Sequence, residues 1–269
     1  MGVVFAVVNQ KGGVGKTTTA VNLASYLALD GASVLLIDLD PQGNASSGLG
    51  VDRNLLERSV YDVIMEGSSV IESSISTDVS GLTLLPATID LAGAEVELMP
   101  KIAREYYLRK AIDTVRMNYD FILIDAPPSL GLLTINALVS ADALIIPIQT
   151  EFYALEGISQ LIQTVDLVRL HLNPSLLIAR VILTMVDNRT RLSQQVAADV
   201  RQYFGEQVSA HEIPRNVRLS EAPSHGKPIS LYDPKSRGAE AYKKIAQEVL
   251  RYGETGTWTR PGSIDSGCC

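Results

Sequence analysis

The sequence alternates six short, nearly continuous apolar runs with longer stretches of amphipathic spacing. Apolar runs of this length suit strands that are buried on both faces, as in a parallel sheet. Strand, helix, strand in repetition predicts an α/β fold, a doubly wound, mostly parallel sheet with helices on both faces. The predicted strands are 3–8, 33–37, 82–85, 121–124, 143–148 and 177–183, and the predicted helices are 16–29, 103–118, 132–140, 155–171, 192–204 and 239–252.

The length and composition fit a single globular domain. The chain has 269 residues, 46% of them hydrophobic and 20% charged, which excludes collagen, coiled coil and general disorder. We expect one domain over residues 1–252 and a disordered tail over 253–269, because that tail is polar and rich in glycine. Residues 65–81, rich in serine and glycine, are predicted to form a surface excursion.

The cysteines and the hydropathy pattern narrow the class of protein further. Both cysteines, Cys268 and Cys269, are the last two residues, so they build no internal disulfide framework, zinc cluster or cysteine-ligated iron–sulfur site. No run of 18 apolar residues is present, and the apolar segment 3–8 lacks the basic lead and cleavage site of a signal peptide. We therefore expect a cytoplasmic protein.

The charge is unevenly distributed along the chain. The formal net charge of −7 argues against a uniformly basic nucleic-acid binder. Residues 1–168, however, carry 9 basic and 20 acidic side chains, whereas residues 169–260 carry 14 basic and 9 acidic ones. The second segment can therefore form one basic face on an acidic protein.

The segment after the first predicted strand is rich in glycine and leads into a predicted helix. It reads Asn9-Gln10-Lys11-Gly12-Gly13-Val14-Gly15-Lys16-Thr17-Thr18. Such a turn presents backbone N–H groups to an anion, and the helix dipole adds to the attraction. Lys16 can reach terminal phosphates, and the Thr17 hydroxyl can ligate magnesium. The spacing departs from the usual G-x-x-x-x-G-K-[ST] pattern, because position 10 is Gln10 and a second lysine, Lys11, is present.

Three aspartates lie where predicted strands end. Asp38 and Asp40 follow the second strand, and Asp125 follows the fourth. The carboxyl ends of parallel strands are where doubly wound sheets bind ligands. A carboxylate beside a terminal phosphate can orient an attacking water and hold the water shell of magnesium. A capping or strand-end role is the alternative for each aspartate, and it is strongest for Asp38.

Together these motifs resemble the ParA/MinD family of ATPases with a deviant Walker A loop, and the resemblance extends from residue 3 to about 252. It implies a P-loop NTPase-like fold, ATP and Mg²⁺ as cofactors, and a nucleotide-sandwich homodimer in the ATP state. In that family the extra lysine, here Lys11, reaches across the dimer to the nucleotide of the partner subunit. The residues that the resemblance assigns to ATP through this loop are Lys11, Gly12, Gly13, Val14, Gly15, Lys16, Thr17 and Thr18.

The resemblance also assigns catalytic and metal-binding roles. In the D-x-D-P-Q-G motif of the family the second aspartate is the hydrolytic one, which implies Asp40, with Lys11 and Lys16 stabilising charge. Residues 121–129 resemble the Walker B element of the family, in which the aspartate, here Asp125, holds magnesium through water. Thr17, Asp40 and Asp125 are therefore the expected metal site.

Two segments of the basic half resemble chromosome-partitioning ATPases of the Soj type. In residues 213–229, Pro214 and Asn216 would lie against adenine, although a Pro-Asn pair also makes an ordinary turn. In residues 184–191, Arg189 resembles the arginine that carries DNA binding, and Arg218 resembles its companion. Arginines on adjacent loops can clamp phosphates bidentately. A solvated charged face is the alternative.

The resemblance implies an ATP-dependent DNA-segregation ATPase for a chromosome or plasmid. An ATP-driven dimer would bind non-specific double-stranded DNA, and a ParB-type centromere-binding protein would stimulate hydrolysis and release. Because the first strand starts at Val3 with no helix-turn-helix before it, we expect sequence-independent backbone contacts and a nucleoid-associated protein.

Other functions remain open to different degrees. A MinD-like membrane-associated positioning ATPase needs a basic amphipathic C-terminal helix, and the glycine- and proline-containing tail predicts no stable membrane binding. An electron-transfer iron protein needs internal cysteines, which this sequence lacks. A ParA relative that positions a protein cargo would use the same chemistry.

Overall fold

The computed structural model describes residues 2–151 and 154–255, and its central feature is a seven-stranded sheet. The strands are β1 (Val3–Val7), β2 (Val34–Asp38), β3 (Ile75–Ser76), β4 (Leu82–Leu85), β5 (Phe121–Asp125), β6 (Ala143–Gln149) and β7 (Leu177–Thr184). Their order is β3-β4-β2-β5-β1-β6-β7, and every neighbouring pair is parallel except β3 with β4. The predicted doubly wound, mostly parallel sheet is confirmed.

Helices connect these strands along the described chain. They are α1 (Lys16–Leu29), α2 (Asn44–Gly48), α3 (Val60–Met65), α4 (Val70–Ser73), α5 (Leu91–Leu98), α6 (Tyr107–Val115), α7 (Leu132–Ser140), α8 (Ala154–His171), α9 (Arg191–Phe204), α10 (Val217–Glu221), α11 (Ile229–Tyr232) and α12 (Arg237–Thr255). Within the described ranges, no helix combines the length and the apolar character that crossing a membrane requires.

The two faces of the sheet bury two separate cores. Phe5 and Val7 of β1 belong to one core, which includes buried side chains of α1 and α12. Val4 and Ala6 of the same strand belong to the other core, with side chains of α3 and of α5 through α9. This alternation follows from the two-residue period of a strand, and it places helices on both faces as predicted.

The sequence pattern missed several short elements. Residues 65–81 include α4, β3 and the buried side chains of Val70 and Val79, so this predicted surface excursion is partly core. The helix predicted over residues 103–118 is regular only at Tyr107–Val115 and has 3₁₀ turns at both ends. Elements of four to six residues contain too few turns to display a period, so caps such as Ser59 and Ser69 determine where they start.

The last helix continues to Thr255, three residues beyond the predicted domain end at residue 252. The predicted disordered tail over 253–269 therefore begins inside a helix, and its residues 256–269 lie outside the described residues.

A buried ion pair joins α12 to β7. Arg180 Nε lies 2.9 Å from Glu248 Oε2, and the two side chains are only 4% and 2% exposed. Glu248 Oε1 also accepts from the Ser209 hydroxyl at 3.1 Å and lies 2.8 Å from His211 Nδ1. The Arg180 guanidinium donates a further bond to the Glu206 carbonyl at 2.9 Å. The hydrogen bonds to Glu248 Oε1 and from the guanidinium offset part of the cost of burying the two charges.

We predict that Glu248→Leu lowers the free energy of unfolding by about 3–5 kcal/mol, because it leaves the buried Arg180 guanidinium without its counter-charge. Urea unfolding followed by circular dichroism measures the change. Arg58→Ala, which breaks a pair with side chains 49% and 66% exposed, is the control and should cost at most about 1 kcal/mol. Equal losses in the two variants would contradict a role for burial.

Candidate functional site

The glycine-rich loop lies at the carboxyl edge of the sheet, between β1 and α1. β1 is flanked by β5 and β6, so the loop is bordered by the ends of strands that come from both halves of the chain. The cavity above it is lined by loop residues, by Asp40, and by Leu219 and Pro223 from the C-terminal half. The sequence-predicted phosphate loop and carboxylates therefore meet in one place.

Hydrogen bonds hold the loop in a defined shape. Asn9 Nδ2 donates to the Pro147 carbonyl at 2.7 Å, while Asn9 Oδ1 accepts from the Lys11 N–H at 3.0 Å. The Thr184 hydroxyl donates to the Val14 carbonyl at 2.8 Å. Gly15, the residue before α1, has φ of 89°, and this left-handed conformation favours glycine. Since Gly15 has no side chain to cap the helix, the first-turn N–H groups can receive an anion.

The remaining loop residues divide between solvent and core. Gly12 and Gly13 are exposed at the tip of the loop, and Val14 is buried. Thr17 and Thr18 are half-buried and line the cavity beside Gly15.

The two lysines of the loop point to different places. Lys16 is 6% exposed, and its Nζ donates to the carbonyl of Lys11 at 3.0 Å. Burial lowers the pKa of Lys16, whereas the charges of Asp125 and Asp40 act to raise it. The Lys11 side chain is 35% exposed, and its Nζ lies 3.3 Å from Glu151 Oε2. One amine therefore faces the buried carboxylates, and the other lies on the rim.

Asp38 is a fully buried anchor for α2. Its Oδ2 accepts from the N–H of Ser46 at 2.8 Å and from the Ser46 hydroxyl at 2.7 Å. Its Oδ1 accepts from the N–H of Asp40 at 3.3 Å. Burial raises the pKa of Asp38 to about 6, although these hydrogen bonds oppose the change. The structure therefore supports the capping alternative for Asp38.

Asp125 is buried beside Asp38 and is poorly satisfied. The two residues are paired in the register of β5 and β2. Neither carboxylate oxygen of Asp125 forms a well-aligned hydrogen bond within the described residues. Burial, and then the charge of Asp38, raises the pKa of Asp125 well above its usual range, while the Thr17 hydroxyl and Lys16 lower it. Such a carboxylate needs a cation or its water shell.

This arrangement fits magnesium, which keeps several waters and takes few protein ligands. Thr17 and Asp40 line the cavity, and the poorly satisfied Asp125 carboxylate interacts with the Thr17 hydroxyl. No group of three or more histidine, cysteine, aspartate or glutamate side chains among the described residues is arranged to hold a metal by itself. The remaining ligands would have to come from water and phosphate.

Asp40 lines the cavity above the loop. The residue is 7% exposed, and its Oδ1 accepts from the Gln42 N–H at 2.9 Å. Gly43 then adopts φ of 62° and begins α2. This short turn orients the Asp40 carboxylate without an ion pair, since the ion pairs of the described residues involve other carboxylates.

A second pocket opens on the other side of Gly15 and Thr18. Pro214 and Asn216 line it together, and Met185 lies beside them with φ of 52°. Asn216 Oδ1 accepts from the Arg218 N–H at 2.8 Å and so begins α10. Met185 could not be predicted from the sequence, because a left-handed methionine after a strand has no characteristic pattern.

Arg189 and Arg218 lie on neighbouring surface segments. The segment after β7 bridges the segment before α10 through Val186 and Pro214, and the Arg215 N–H donates to the Val186 carbonyl at 3.2 Å. The Arg189 and Arg218 side chains are 88% and 55% exposed. Both form ion pairs within their own segments, with Asp187 and with Glu221.

Known proteins resemble the chain over nearly its whole length. The AAA domain family model matches residues 2–178. The sporulation initiation inhibitor protein Soj of Bacillus subtilis is 58% identical over 94% of this chain and all of that protein. The chromosome partitioning protein ParA of Caulobacter vibrioides is 53% identical over 92% of this chain and 93% of that protein.

A solved structure shares the fold. The crystal structure of cobyrinic acid a,c-diamide synthase from Mycobacterium smegmatis, with a bound ATP analog and magnesium, has a TM-score of 0.85 and 39% identity. The match covers 96% of this chain and 98% of that one. Identity to the Soj and ParA proteins is higher over a similar span. With its deviant phosphate loop, its paired strand-end aspartates and these similarities, the chain belongs to the ParA/MinD family of ATPases and is similar to its Soj-type chromosome-partitioning members.

Proposed function

We propose that this protein is a DNA-segregation ATPase that works as a nucleotide-controlled switch. ATP closes two subunits into a sandwich dimer, the dimer binds non-specific double-stranded DNA, and hydrolysis releases it. A ParB-type centromere-binding protein stimulates the hydrolysis. The similarity to partitioning ATPases over 94% and 92% of the chain supports this proposal.

The observation that carries the proposal is the division between the two lysines. Lys16 is buried and faces Asp125 and Asp40, so it serves the nucleotide of its own subunit. Lys11 lies on the rim with its amine on Glu151, 3.3 Å away. A rim amine on a phosphate loop is placed to reach a phosphate in a facing subunit. Two such subunits would each complete the site of the other.

In ATP hydrolysis the protein mainly positions the reacting groups and stabilises charge. Backbone N–H groups of the loop and Lys16 hold the terminal phosphates, and Thr17 with Asp125 would hold magnesium, which neutralises charge on the phosphate oxygens. Asp40 orients the attacking water from the cavity wall, assisted by its turn through Gln42. Lys11 of the facing subunit and Lys16 stabilise the charge that develops during transfer.

The remaining assigned residues would bind the adenine base and DNA. Pro214 and Asn216 would hold adenine in the pocket beside Gly15. Arg189 and Arg218 would contact DNA phosphates, which makes binding independent of sequence and sensitive to salt. Closing a dimer doubles the number of such arginines on one surface, so binding depends on ATP.

We predict that Gly12→Val abolishes ATP-dependent dimerisation and leaves ATP binding intact. A Cβ at Gly12 meets no protein atom within 4 Å in its own subunit, so the clash expected in the sandwich is with the facing subunit. Light scattering with a slowly hydrolysed ATP analogue measures dimer formation, and nucleotide binding is measured separately. A Gly12→Val protein that still dimerises with ATP would refute the sandwich. Lys16→Ala, which should lose nucleotide, is the control.

Asp40→Ala should reduce ATP turnover by about 10²- to 10⁴-fold and trap the ATP-bound dimer, because the water loses its orienting carboxylate. Single-turnover hydrolysis and dimer lifetime are the measurements. Asp40→Asn keeps an acceptor for the Gln42 N–H but removes the negative charge, so it distinguishes loss of the charge from loss of the turn. Normal turnover in either variant would remove Asp40 from the mechanism.

Binding to random-sequence duplex DNA should require ATP and weaken steeply with salt. Arg189→Ala should weaken binding to all sequences alike and reduce the salt slope by about 1 per subunit. Fluorescence anisotropy over a salt series with ATP, ADP and no nucleotide measures both effects. Arg58→Ala, which removes an exposed, ion-paired arginine from the acidic half, is the matched control. No DNA binding in any nucleotide state would reassign the output of the switch.

A further inference from the structure

Arg189 is held by a complete carboxylate contact. Asp187 Oδ1 accepts from Arg189 Nε at 2.8 Å and from the Arg189 N–H at 3.1 Å, and Asp187 Oδ2 accepts from Nη2 at 2.7 Å. This bidentate geometry is the one that a guanidinium also uses with phosphate. The contact lowers the pKa of Asp187 to about 2, with a smaller contribution from the charge of Arg215.

Arg218 is also paired with acidic neighbours, through one contact to each of two carboxylates. Its Nη1 donates to Glu221 Oε2 at 2.9 Å, and its Nε lies 3.5 Å from Asp233 Oδ2. The Tyr232 hydroxyl donates to the same Glu221 oxygen at 3.2 Å, which fixes the carboxylate in place. Stacking on His225, with ring centroids 4.9 Å apart, orients Tyr232 in turn.

Five other exposed cations of the basic half are arranged differently. Within the part of the chain that the structure describes, no ion pair is formed by Lys227, Lys235, Arg237, Lys243 or Lys244. Two arginines of the same half that are assigned no phosphate, Arg169 and Arg201, are paired, with Asp166 and Glu212. Pairing is therefore a property of particular positions and not of every exposed cation in this half.

We propose that Asp187 and Glu221 are intramolecular substitutes for DNA phosphate that orient Arg189 and Arg218 and limit their affinity for DNA. The proposal rests on the DNA-binding function proposed above. Each arginine must exchange a carboxylate for a phosphate when DNA arrives, so each contact is worth only the difference between the two partners. A lone subunit then binds DNA weakly, and two subunits acting on one duplex are needed to hold it.

The carboxylates limit DNA binding, and they also keep the arginines in a fixed orientation. An arginine side chain loses considerable rotamer freedom when it is fixed, and the pairing fixes Arg189 before DNA arrives. The Asp187 side chain is 25% exposed, and the Asp187 N–H donates to the Ser193 hydroxyl at 3.2 Å, which ties the residue to α9. The freed carboxylate would remain near the phosphate and repel it, which favours release once the dimer opens.

The test uses isosteric variants of the full chain. Asp187→Asn keeps an oxygen for the Arg189 N–H, and Glu221→Gln keeps one for the Tyr232 hydroxyl, so the local turns are retained. Affinity for random duplex DNA should rise about 1.5- to 5-fold for each substitution in each subunit. The salt slope should become steeper, because no cation is taken up by a freed carboxylate. The double variant should bind DNA measurably with ADP at low salt.

Two comparisons separate release of an arginine from a simple change in net charge. Glu240→Gln removes one negative charge from an exposed residue in the first turn of α12 and gives the general effect. In an Arg189→Ala background, Asp187→Asn should add only that general effect, because the arginine it would release is absent. Unchanged ATP binding and turnover in each variant confirm that the nucleotide site is intact.

The outcomes distinguish this proposal from the function it rests on. In one outcome the wild-type protein binds DNA with ATP, Arg189→Ala weakens that binding, and Asp187→Asn and Glu221→Gln have the same effect as Glu240→Gln. The proposal that the carboxylates substitute for phosphate is then wrong, and the DNA-binding function stands. If the full effect of Asp187→Asn persists without Arg189, the proposal is likewise overturned. If neither the wild-type protein nor any variant binds DNA, both proposals fail.

Discussion

The burial of the Lys16 amine near the carboxylates of Asp125 and Asp40 is the interaction on which the rest of the site depends. Lys16 lies in the first turn of α1, and Asp125 and Asp40, which follow β5 and β2, both act on its pKa. Asp38, beside Asp125 in the register of the sheet, raises the pKa of Asp125 further. Bringing these groups together is costly in a low-dielectric interior. A site of this kind is stabilised by binding a cation together with phosphate, and the fold supplies both the carboxylates and the N–H groups for it.

The sheet makes this arrangement unavoidable once the strands pair. β1 lies between β5 and β6, so the loop after β1 and the aspartate at the end of β5 reach the same edge. β2 pairs with β5 through Asp38 and Asp125, which fixes the second aspartate to within one strand spacing of the first. The shape of the loop is secured from the other half of the sheet, by the Pro147 carbonyl on β6 and the Thr184 hydroxyl on β7.

Much of this organisation could be predicted from the sequence, and the rest could not for definite reasons. The apolar runs and the periodic segments were sufficient for six of the seven strands and for α1 and α7, whose bounds match the prediction. Ser59 and Ser69 cap the short helices α3 and α4, whereas α2 and α5 have no side-chain cap and depend on the burial of residues such as Ala45 and Leu91. Helices this short display too little of a period to be predicted from the sequence. That Asp38 anchors Ser46 depends on how α2 returns to the sheet, which is a tertiary fact. The pairing of Arg189 with Asp187 is local, and its two-residue spacing was a signal in the sequence that the motif comparison overlooked.

Burial separates the ion pairs of this protein into two kinds. The pair between Arg180 and Glu248 is almost completely buried, so breaking it leaves an uncompensated charge, and it acts as a permanent link between β7 and α12. Lys11, Arg189 and Arg218 carry exposed pairs, which are worth at most about 1 kcal/mol each. A pair that weak can be exchanged for a phosphate and restored afterwards without unfolding anything. The cations proposed to reach a phosphate outside their own subunit all have exchangeable partners, and reversible association requires contacts of this strength.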